Sequence, residues 1–190
     1  MFARTPRLLL RPGWKEDASA LAAAIGDFAV VSRLARAPWP YGLDDAEGFL
    51  SADHGRLPNF LIFARTHGSP RLVGGIGLDQ TEAGVELGYW IARPYWGLGF
   101  ATEAGGAVLE LADRGLKLPR LIAGHFSDNQ ASAQVLRKLG FEPTGRLGSR
   151  ICRSRNSVEP SVEYARQAFA PGSAGSISDV GYDREGALAA

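Results

Sequence analysis

Two glycines separated by one residue are the feature of this sequence that most clearly points to chemistry. They lie in the segment Trp96, Gly97, Leu98, Gly99, Phe100, Ala101 and Thr102. Residues 85–91 before them alternate in polarity as a half-buried strand does, and apolar residues after them recur at helical spacing. A strand, a glycine turn and a helix start aim several backbone N–H groups and the positive end of the helix dipole at one point. We therefore predict that this turn binds an anion, above all a phosphate group.

The turn lacks the marks of two common nucleotide-binding motifs. No Gly-Lys-Ser/Thr follows it, which argues against a phosphate-loop nucleotide-binding protein. No third glycine stands where a dinucleotide fingerprint requires one. Taken alone, the turn is equally compatible with an ordinary tight connection between a strand and a helix.

A second passage from strand to helix follows, from the apolar residues 121–126 to a helix expected over residues 130–139. Between and within these elements stand Asp128, Asn129 and Ser132. Ser132 comes three residues after Asn129, so both side chains face the same side of the helix. Gly140 then ends the helix. Two strands connected by a helix predict a parallel pair at this point of the sheet.

The remaining elements follow from the spacing of the apolar side chains. We expect strands at residues 8–11, 60–64, 72–78, 85–91, 121–126, 141–147 and 162–169, and helices at 15–34, 44–52, 100–115 and 130–139. This order predicts a mixed α/β sheet. Gly105 and Gly106 inside the third helix each cost about 1 kcal/mol relative to alanine, which indicates a close packing contact there. We expect residues 170–190 to form a disordered tail, because this segment is rich in Gly, Ser and Ala.

The composition excludes several classes of protein. The chain has 190 residues, 45% of them hydrophobic, which fits one packed domain. Its net charge of +1 gives no strong attraction to nucleic acid or anionic lipid, so we expect neither partner. No apolar run approaches the roughly 18 residues of a membrane span, and the first residues lack the apolar core of a signal peptide. The single cysteine, Cys152, excludes an internal disulfide and offers no metal cluster. We therefore expect a cytoplasmic protein without a metal.

Five motifs occur together in this chain: Arg7-Leu8-Leu9-Leu10-Arg11-Pro12, Glu86-Leu87-Gly88-Tyr89-Trp90, the turn from Tyr95 to Ala104, Asp128-Asn129 with Ser132, and Lys138-Leu139-Gly140-Phe141. In this combination, residues 5–169 resemble the GNAT superfamily of N-acetyltransferases, and look most like the branch named for ribosomal-protein N-terminal acetyltransferases. The resemblance implies an α+β fold with about seven strands, splayed between the fourth and fifth strands, here residues 85–91 and 121–126. It implies direct acetyl transfer from acetyl-CoA in that cleft to a primary amine, on a protein N-terminus or a small molecule.

The resemblance also assigns the residues that hold acetyl-CoA. The turn from Trp96 to Thr102 receives the pyrophosphate. The strand edge at Ile91 and Ala92 pairs with the pantetheine amides, and a backbone N–H there stabilises the oxyanion. Asn129 matches the family's CoA-contacting asparagine. Direct transfer needs no covalent enzyme intermediate, so no role is expected for Cys152.

Three residues are candidates for proton transfer. Many relatives protonate the departing thiolate with a tyrosine near the Lys-x-Gly-Phe ending, but residues 135–138 contain none. Ser132 is the favoured substitute, with a small packing residue as the alternative. Glu86 is the candidate base, directly or through water, or else a structural partner of an arginine. His125 is the other candidate, because histidine exchanges protons readily near neutral pH, although a lone strand histidine is more often structural.

The acceptor site is the least determined part of the sequence. Trp39 and Tyr41 are expected to wall the amine pocket, with a core plug as the alternative. Four arginines stand at positions 146, 150, 153 and 155. They either steer an acidic acceptor or partner to the protein, or belong to a solvent-exposed hairpin connection. The missing tyrosine leaves open a catalytically silent acyl-CoA-binding module of the same fold. A monomer and a homodimer are both compatible with the sequence.

Overall fold

The computed structural model describes residues 1–66 and 68–168. One eight-stranded sheet forms the centre of this part, in the order β1-β2-β3-β4-β5-β6-β8-β7. The strands are β1 (Ala3–Arg4), β2 (Leu8–Arg11), β3 (Asn59–Ala64), β4 (Arg71–Thr81), β5 (Gly84–Ile91), β6 (Arg120–Phe126), β7 (Glu142–Cys152) and β8 (Ser157–Gln167). The pair β5–β6 is parallel and the other pairs are antiparallel. The mixed sheet is confirmed, and the strand beyond the expected seven is the two-residue β1.

Five α-helices flank the sheet in the described part of the chain. They are α1 (Ala18–Ile25), α2 (Phe28–Val31), α3 (Leu43–Ser51), α4 (Phe100–Glu110) and α5 (Gln130–Lys138). The single helix expected at 15–34 is wrong, because the chain leaves α1 at Gly26 and the carboxylate of Asp27 caps a new helix by accepting from the Ala29 N–H. The N-cap of α3 is Gly42, whose N–H donates to Asp45 at 2.9 Å.

The last two strands are longer than their apolar pattern predicts. β7 pairs with β8 as far as Cys152, opposite Ser157, and β8 pairs along β6 as well. Pairing with neighbours supplies the backbone hydrogen bonds, so the strand continues through residues that carry no alternating pattern. Arg146 and Arg150 consequently lie within β7 rather than in a connection.

The two faces of the sheet are covered by different helices. On β3, Phe60 and Ile62 join the core with Val108 of α4, whereas Leu61 and Phe63 pack with residues of α1 and α3. We call these sides the α4–α5 face and the α1–α3 face. Because side chains alternate along a strand, Leu87 of β5 belongs to the first face, and Glu86, Gly88 and Trp90 belong to the second.

One of the two glycines inside α4 has the expected packing role. A Cβ on Gly105 would lie 2.5 Å from Leu139 Cδ1, so glycine lets the Leu139 side chain at the end of α5 pack directly against α4 without shifting. A Cβ on Gly106 would meet nothing within 4 Å, so the close contact expected there is absent. After Glu110 the helix continues through one π-helical turn, Leu111–Gly115. No helix within residues 1–66 and 68–168 is long and apolar enough to span a membrane. The expected tail, residues 170–190, lies outside the described residues.

Candidate active site

A cleft opens between the two parallel strands at the centre of the sheet. β5 and β6 are paired at one position, Glu86 opposite Ile122, and the described residues contain no further pair between these strands. The strands therefore diverge towards their carboxyl ends. The Ala92 N–H donates to the Val73 carbonyl of β4 at 2.9 Å. Since the backbone groups of neighbouring strand residues point to opposite edges, those of Ile91 face the cleft.

Backbone groups at Ile91 are therefore the ones that a ligand in the cleft meets. The Ile91 carbonyl already accepts a 2.6 Å hydrogen bond from the indole Nε1 of Trp96. The Ile91 N–H remains as the donor at this edge. Of the two residues predicted to pair with pantetheine, Ala92 is buried and uses its N–H inside the sheet. The prediction thus reduces to Ile91 for an amide donor.

The glycine turn lies at the open end of this cleft. Gly97 and Gly99 have φ angles of +77° and +79°, in the left-handed region that other residues adopt at a cost. Gly99 is the N-cap of α4 and supplies no side-chain cap. The N–H groups of the first helical turn, Phe100, Ala101 and Thr102, consequently have no partner within the helix. These three N–H groups, with the exposed Leu98 beside them, are the kind of donor set that binds an anion at the start of a helix.

A network from the start of the chain holds this turn. The Arg7 guanidinium donates from Nη1 to the Leu98 carbonyl at 3.0 Å and from Nε to Glu103 at 2.6 Å. The backbone N–H of Arg7 and the hydroxyl of Thr5 also donate to Glu103, at 3.0 and 2.5 Å. The guanidinium stacks 4.8 Å from the centre of the Phe100 ring. Arg7 was not among the predicted site residues, although its position in the first-strand motif was the available signal.

The charge of Glu103 in this network makes a pH-dependent prediction. Burial raises the pKa of Glu103, but the hydrogen bonds from Thr5 and Arg7 and the charge of Arg7 outweigh it, and the net pKa is lowered. Glu103 therefore stabilises the fold above its unfolded pKa of about 4.3, and this contribution is lost as the pH falls through the lower folded pKa. We expect Glu103→Gln to reduce the free energy of unfolding by about 1–2 kcal/mol at pH 7.

Urea unfolding at pH 7 and at successively lower pH measures this effect. The difference between wild type and Glu103→Gln should shrink as the pH falls below the unfolded pKa. Glu110→Gln is the matched control in the same helix, because Glu110 makes an exposed pair with Arg114 and should change stability little. A difference for Glu103→Gln that does not depend on pH would contradict the assignment.

The first turn of α5 brings together two predicted site residues, Asn129 and Ser132, and one that was not predicted, Tyr89. Asn129 caps the helix, its Oδ1 accepting from the Ser132 N–H at 3.3 Å, so its side-chain NH2 is the group left to donate to a ligand. The hydroxyl of Tyr89 lies 2.7 Å from Ser132 Oγ and 3.2 Å from the Ser132 carbonyl oxygen. Tyr89 is a site residue that the sequence analysis missed, although alternation along β5 places it on the α4–α5 face with Leu87.

Glu86 lies on the opposite face of the sheet, in an ion pair. Arg150 Nη1 donates to Glu86 Oε1 at 2.5 Å. The arginine reaches Glu86 by crossing Gly124 of β6, where a Cβ would lie 2.9 Å from Arg150 Nη2. Both side chains line a cavity of about 490 Å³ together with Glu163 and other polar residues. The arrangement matches the alternative of a structural partner for an arginine, and it leaves the role of base as a prediction.

His125 is buried on the α4–α5 face and both of its ring nitrogens have neighbours. Its Nδ1 lies 2.7 Å from the Phe126 carbonyl, which can only accept, so Nδ1 is the donor. Its Nε2 lies 3.4 Å from the Tyr164 hydroxyl. The two proton-transfer candidates His125 and Glu86 are thus on different faces of the sheet, and the structure does not bring them together.

The α1–α3 face is open beside Glu86, at Gly88. Gly88 is exposed, and a Cβ there would meet nothing within 4 Å. Trp90 borders this space and packs in the same two clusters as Tyr41. Burial, with the nearby charge of Asp45, raises the pKa of Tyr41 to about 12, so its hydroxyl stays protonated. Trp39, the other predicted wall residue, is exposed and meets the edge of Phe28 at 5.2 Å.

Two of the four arginines of the last hairpin, Arg150 and Arg155, are paired with acids from other parts of the chain. Arg155 bonds Asp128 at 2.9 Å, and Arg33 bonds the same carboxylate at 2.9 Å. Arg150 is held by Glu86. Arg155 thereby links the hairpin to the loop before α5 and Arg150 links it to β5, so both have structural partners rather than a purely solvated position.

Comparison with known proteins identifies this architecture. Residues 7–142 match the model of the acetyltransferase (GNAT) domain. The chain is 31% identical over 159 residues to the uncharacterized N-acetyltransferase YoaA of Bacillus subtilis, covering 75% of this chain and 84% of that protein. A GNAT-family acetyltransferase from Bacillus anthracis is 26% identical, with a TM-score of 0.74 over 88% of this chain and 98% of the other.

The fold is also that of an enzyme with a named protein acceptor. RimL, described as a ribosomal L7/L12 alpha-N-protein acetyltransferase in complex with coenzyme A, is 18% identical with a TM-score of 0.71, over 88% of this chain and 98% of RimL. At that identity the similarity concerns the fold. Together with the domain match over residues 7–142, these findings show that the chain belongs to the GNAT acetyltransferase family.

Proposed function

We propose that this protein transfers an acetyl group from acetyl-CoA to a primary amine while both substrates are bound. The observation that carries the proposal is the cleft between β5 and β6, which ends at the uncapped glycine turn of α4. Membership of the GNAT acetyltransferase family and the name of its Bacillus subtilis relative support acetyl-CoA as donor and an amine as acceptor.

The donor would lie in the cleft in one direction. Its pyrophosphate would lie at the turn from Trp96 to Thr102, where the first N–H groups of α4 point outward. Its pantetheine arm would run along β5, with the Ile91 N–H as amide or thioester donor. The side-chain NH2 of Asn129 would donate from the other wall of the cleft. These roles rest on the geometry of the backbone and on the family.

The acceptor amine would approach from the α1–α3 face, above Gly88. Open space there, bordered by Trp90 and Tyr41, supports this route. The amine must lose a proton to attack the thioester. Glu86, two residues before Gly88 on the same face, would be the base that accepts this proton. Trp39 would form the exposed rim. A protein N-terminus and a small-molecule amine both remain in the proposal, in a monomer or a homodimer.

The composition supports a cytoplasmic location for this activity, since a lone cysteine fits a reducing compartment. The near-neutral net charge supports an acceptor other than nucleic acid.

Thiol release from acetyl-CoA tests the proposal against its alternatives. The protein is incubated with acetyl-CoA and a panel of peptides with different N-termini alongside small amines. We expect thiol release that depends on one class of amine, and tighter binding of CoA than of ATP. Binding of CoA without turnover on any amine would favour the catalytically silent module, and tighter binding of ATP would favour a nucleotide-binding protein.

A further inference from the structure

Tyr89 makes a contact at the cleft that the family resemblance does not anticipate. It comes from β5, whereas the tyrosine expected from relatives would stand on α5, where residues 135–138 contain none. Its hydroxyl lies 2.7 Å from Ser132 Oγ across the opening between the strand and the helix. The two residues are 43 positions apart, so the contact depends on the fold.

Both partners lie at the cleft rather than deep in the core. Tyr89 is two residues before Ile91, so its backbone faces the same edge of β5 as the free Ile91 N–H. Ser132 is in the first turn of α5, directly after the Asn129 cap. A ligand that lies along this strand edge and meets Asn129 must pass the hydroxyl pair.

The Tyr89 hydroxyl is also a group that keeps its proton. Burial raises the pKa of Tyr89 to about 12, against the lowering effect of the Ser132 hydrogen bond, and the neighbouring Tyr164 raises it further. A phenol that stays protonated near neutral pH has one proton to give, and Ser132 offers it two acceptors, Oγ at 2.7 Å and the carbonyl oxygen at 3.2 Å. When the proton goes to Oγ, the nearer acceptor, the Ser132 proton is free to point elsewhere.

We propose that Tyr89 is a positioning residue, which orients the Ser132 hydroxyl as a hydrogen-bond donor to the sulfur of the departing CoA. This inference rests on the proposed function. In the step concerned, the amine nitrogen forms its bond to the carbonyl carbon and the C–S bond breaks, its electron pair passing to sulfur. The proton lost by the amine passes to solvent by way of Glu86, the proposed base, and the thiolate takes a proton from solvent. Ser132 stabilises the developing charge on sulfur by its hydrogen bond, and neither hydroxyl is consumed.

A double-mutant cycle tests whether Tyr89 acts through Ser132. The variants are Tyr89→Phe, Ser132→Ala and the double variant, assayed with acetyl-CoA and the best amine of the panel. We expect Ser132→Ala to lower kcat about 100-fold and Tyr89→Phe about 10-fold, with KM for acetyl-CoA unchanged. The double variant should be no slower than Ser132→Ala, because a residue that acts only through Ser132 has nothing left to orient.

A second partly enclosed serine hydroxyl provides the control. Ser32→Ala removes a hydroxyl whose partner is the Ala29 carbonyl at 3.5 Å, and we expect it to keep most of the wild-type kcat. The inference is overturned if Tyr89→Phe keeps wild-type kcat, if the effects of the two substitutions multiply, or if Ser32→Ala is as slow as Ser132→Ala. No turnover by the wild type on any amine would instead overturn the proposed function, and this inference with it.

Discussion

Gly99→Glu is expected to abolish the binding of CoA. Gly99 has a φ of +79° and precedes the first N–H groups of α4, and a Cβ there would lie 3.5 Å from Arg7 Nη2, so a glutamate strains the turn and disturbs the arginine that holds it. The added carboxylate repels the phosphates as well. We expect the Kd for CoA, measured by isothermal titration calorimetry, to rise by at least about 100-fold, which corresponds to about 2.7 kcal/mol.

The same helix supplies the control for this substitution. Gly106 is exposed on α4, and a Cβ there would meet nothing within 4 Å. Gly106→Glu therefore adds the same charge to the same helix without entering the turn, and the Kd should stay near the wild-type value. A thermal melt shows that both variants are folded. Unchanged CoA affinity in a folded Gly99→Glu variant would remove the turn as the phosphate cradle.

Glu86→Gln is expected to lower turnover far more than CoA affinity. If Glu86 removes the proton of the acceptor amine, kcat should fall by about 100-fold or more, since a general base contributes effects of that size. The Kd for CoA should not change, because Glu86 lies on the α1–α3 face, away from the donor's turn. Initial rates across a pH series should lose the rise that deprotonation of the base produces.

Arg150→Gln separates this role from that of a structural partner. It removes the cation that holds Glu86 at 2.5 Å but keeps the carboxylate. A base retains its function when its partner is lost, so Arg150→Gln should be much less impaired than Glu86→Gln. Equal losses in both variants, with an unchanged pH–rate profile, would show that the ion pair matters only for structure.

The sequence predicted helices and strands well where local residue spacing and turn residues determine the backbone conformation. The strand at Leu8–Arg11 and the start of α4 at Phe100 follow directly from the sequence. The split between α1 and α2 was missed, because the alanine-rich stretch has helical spacing across Gly26. The predicted β7 was too short. Hydrogen bonds to β8 extend this strand through residues whose sequence shows no apolar alternation.

The candidate site divides in the same way. Gly97, Gly99 and the Asn129 cap are local features, since a turn conformation and a helix cap depend on neighbouring residues. The contacts that give the cleft its chemistry join residues far apart in the chain. Arg150 reaches Glu86 over 64 positions, and its presence there was only one of two alternatives. Such pairs depend on which face each strand residue occupies, which the packed sheet decides.

The fate of a labelled acetyl group shows whether the protein moves it from acetyl-CoA to an amine. Acetyl-CoA labelled in its acetyl group is incubated with the protein and the best amine of the panel. Mass spectrometry of the amine and a thiol count on the same sample measure both products. We expect one labelled acetyl amide for each thiol released, and neither product with Gly99→Glu. Bound CoA with no labelled amide, on any amine of the panel, would contradict it.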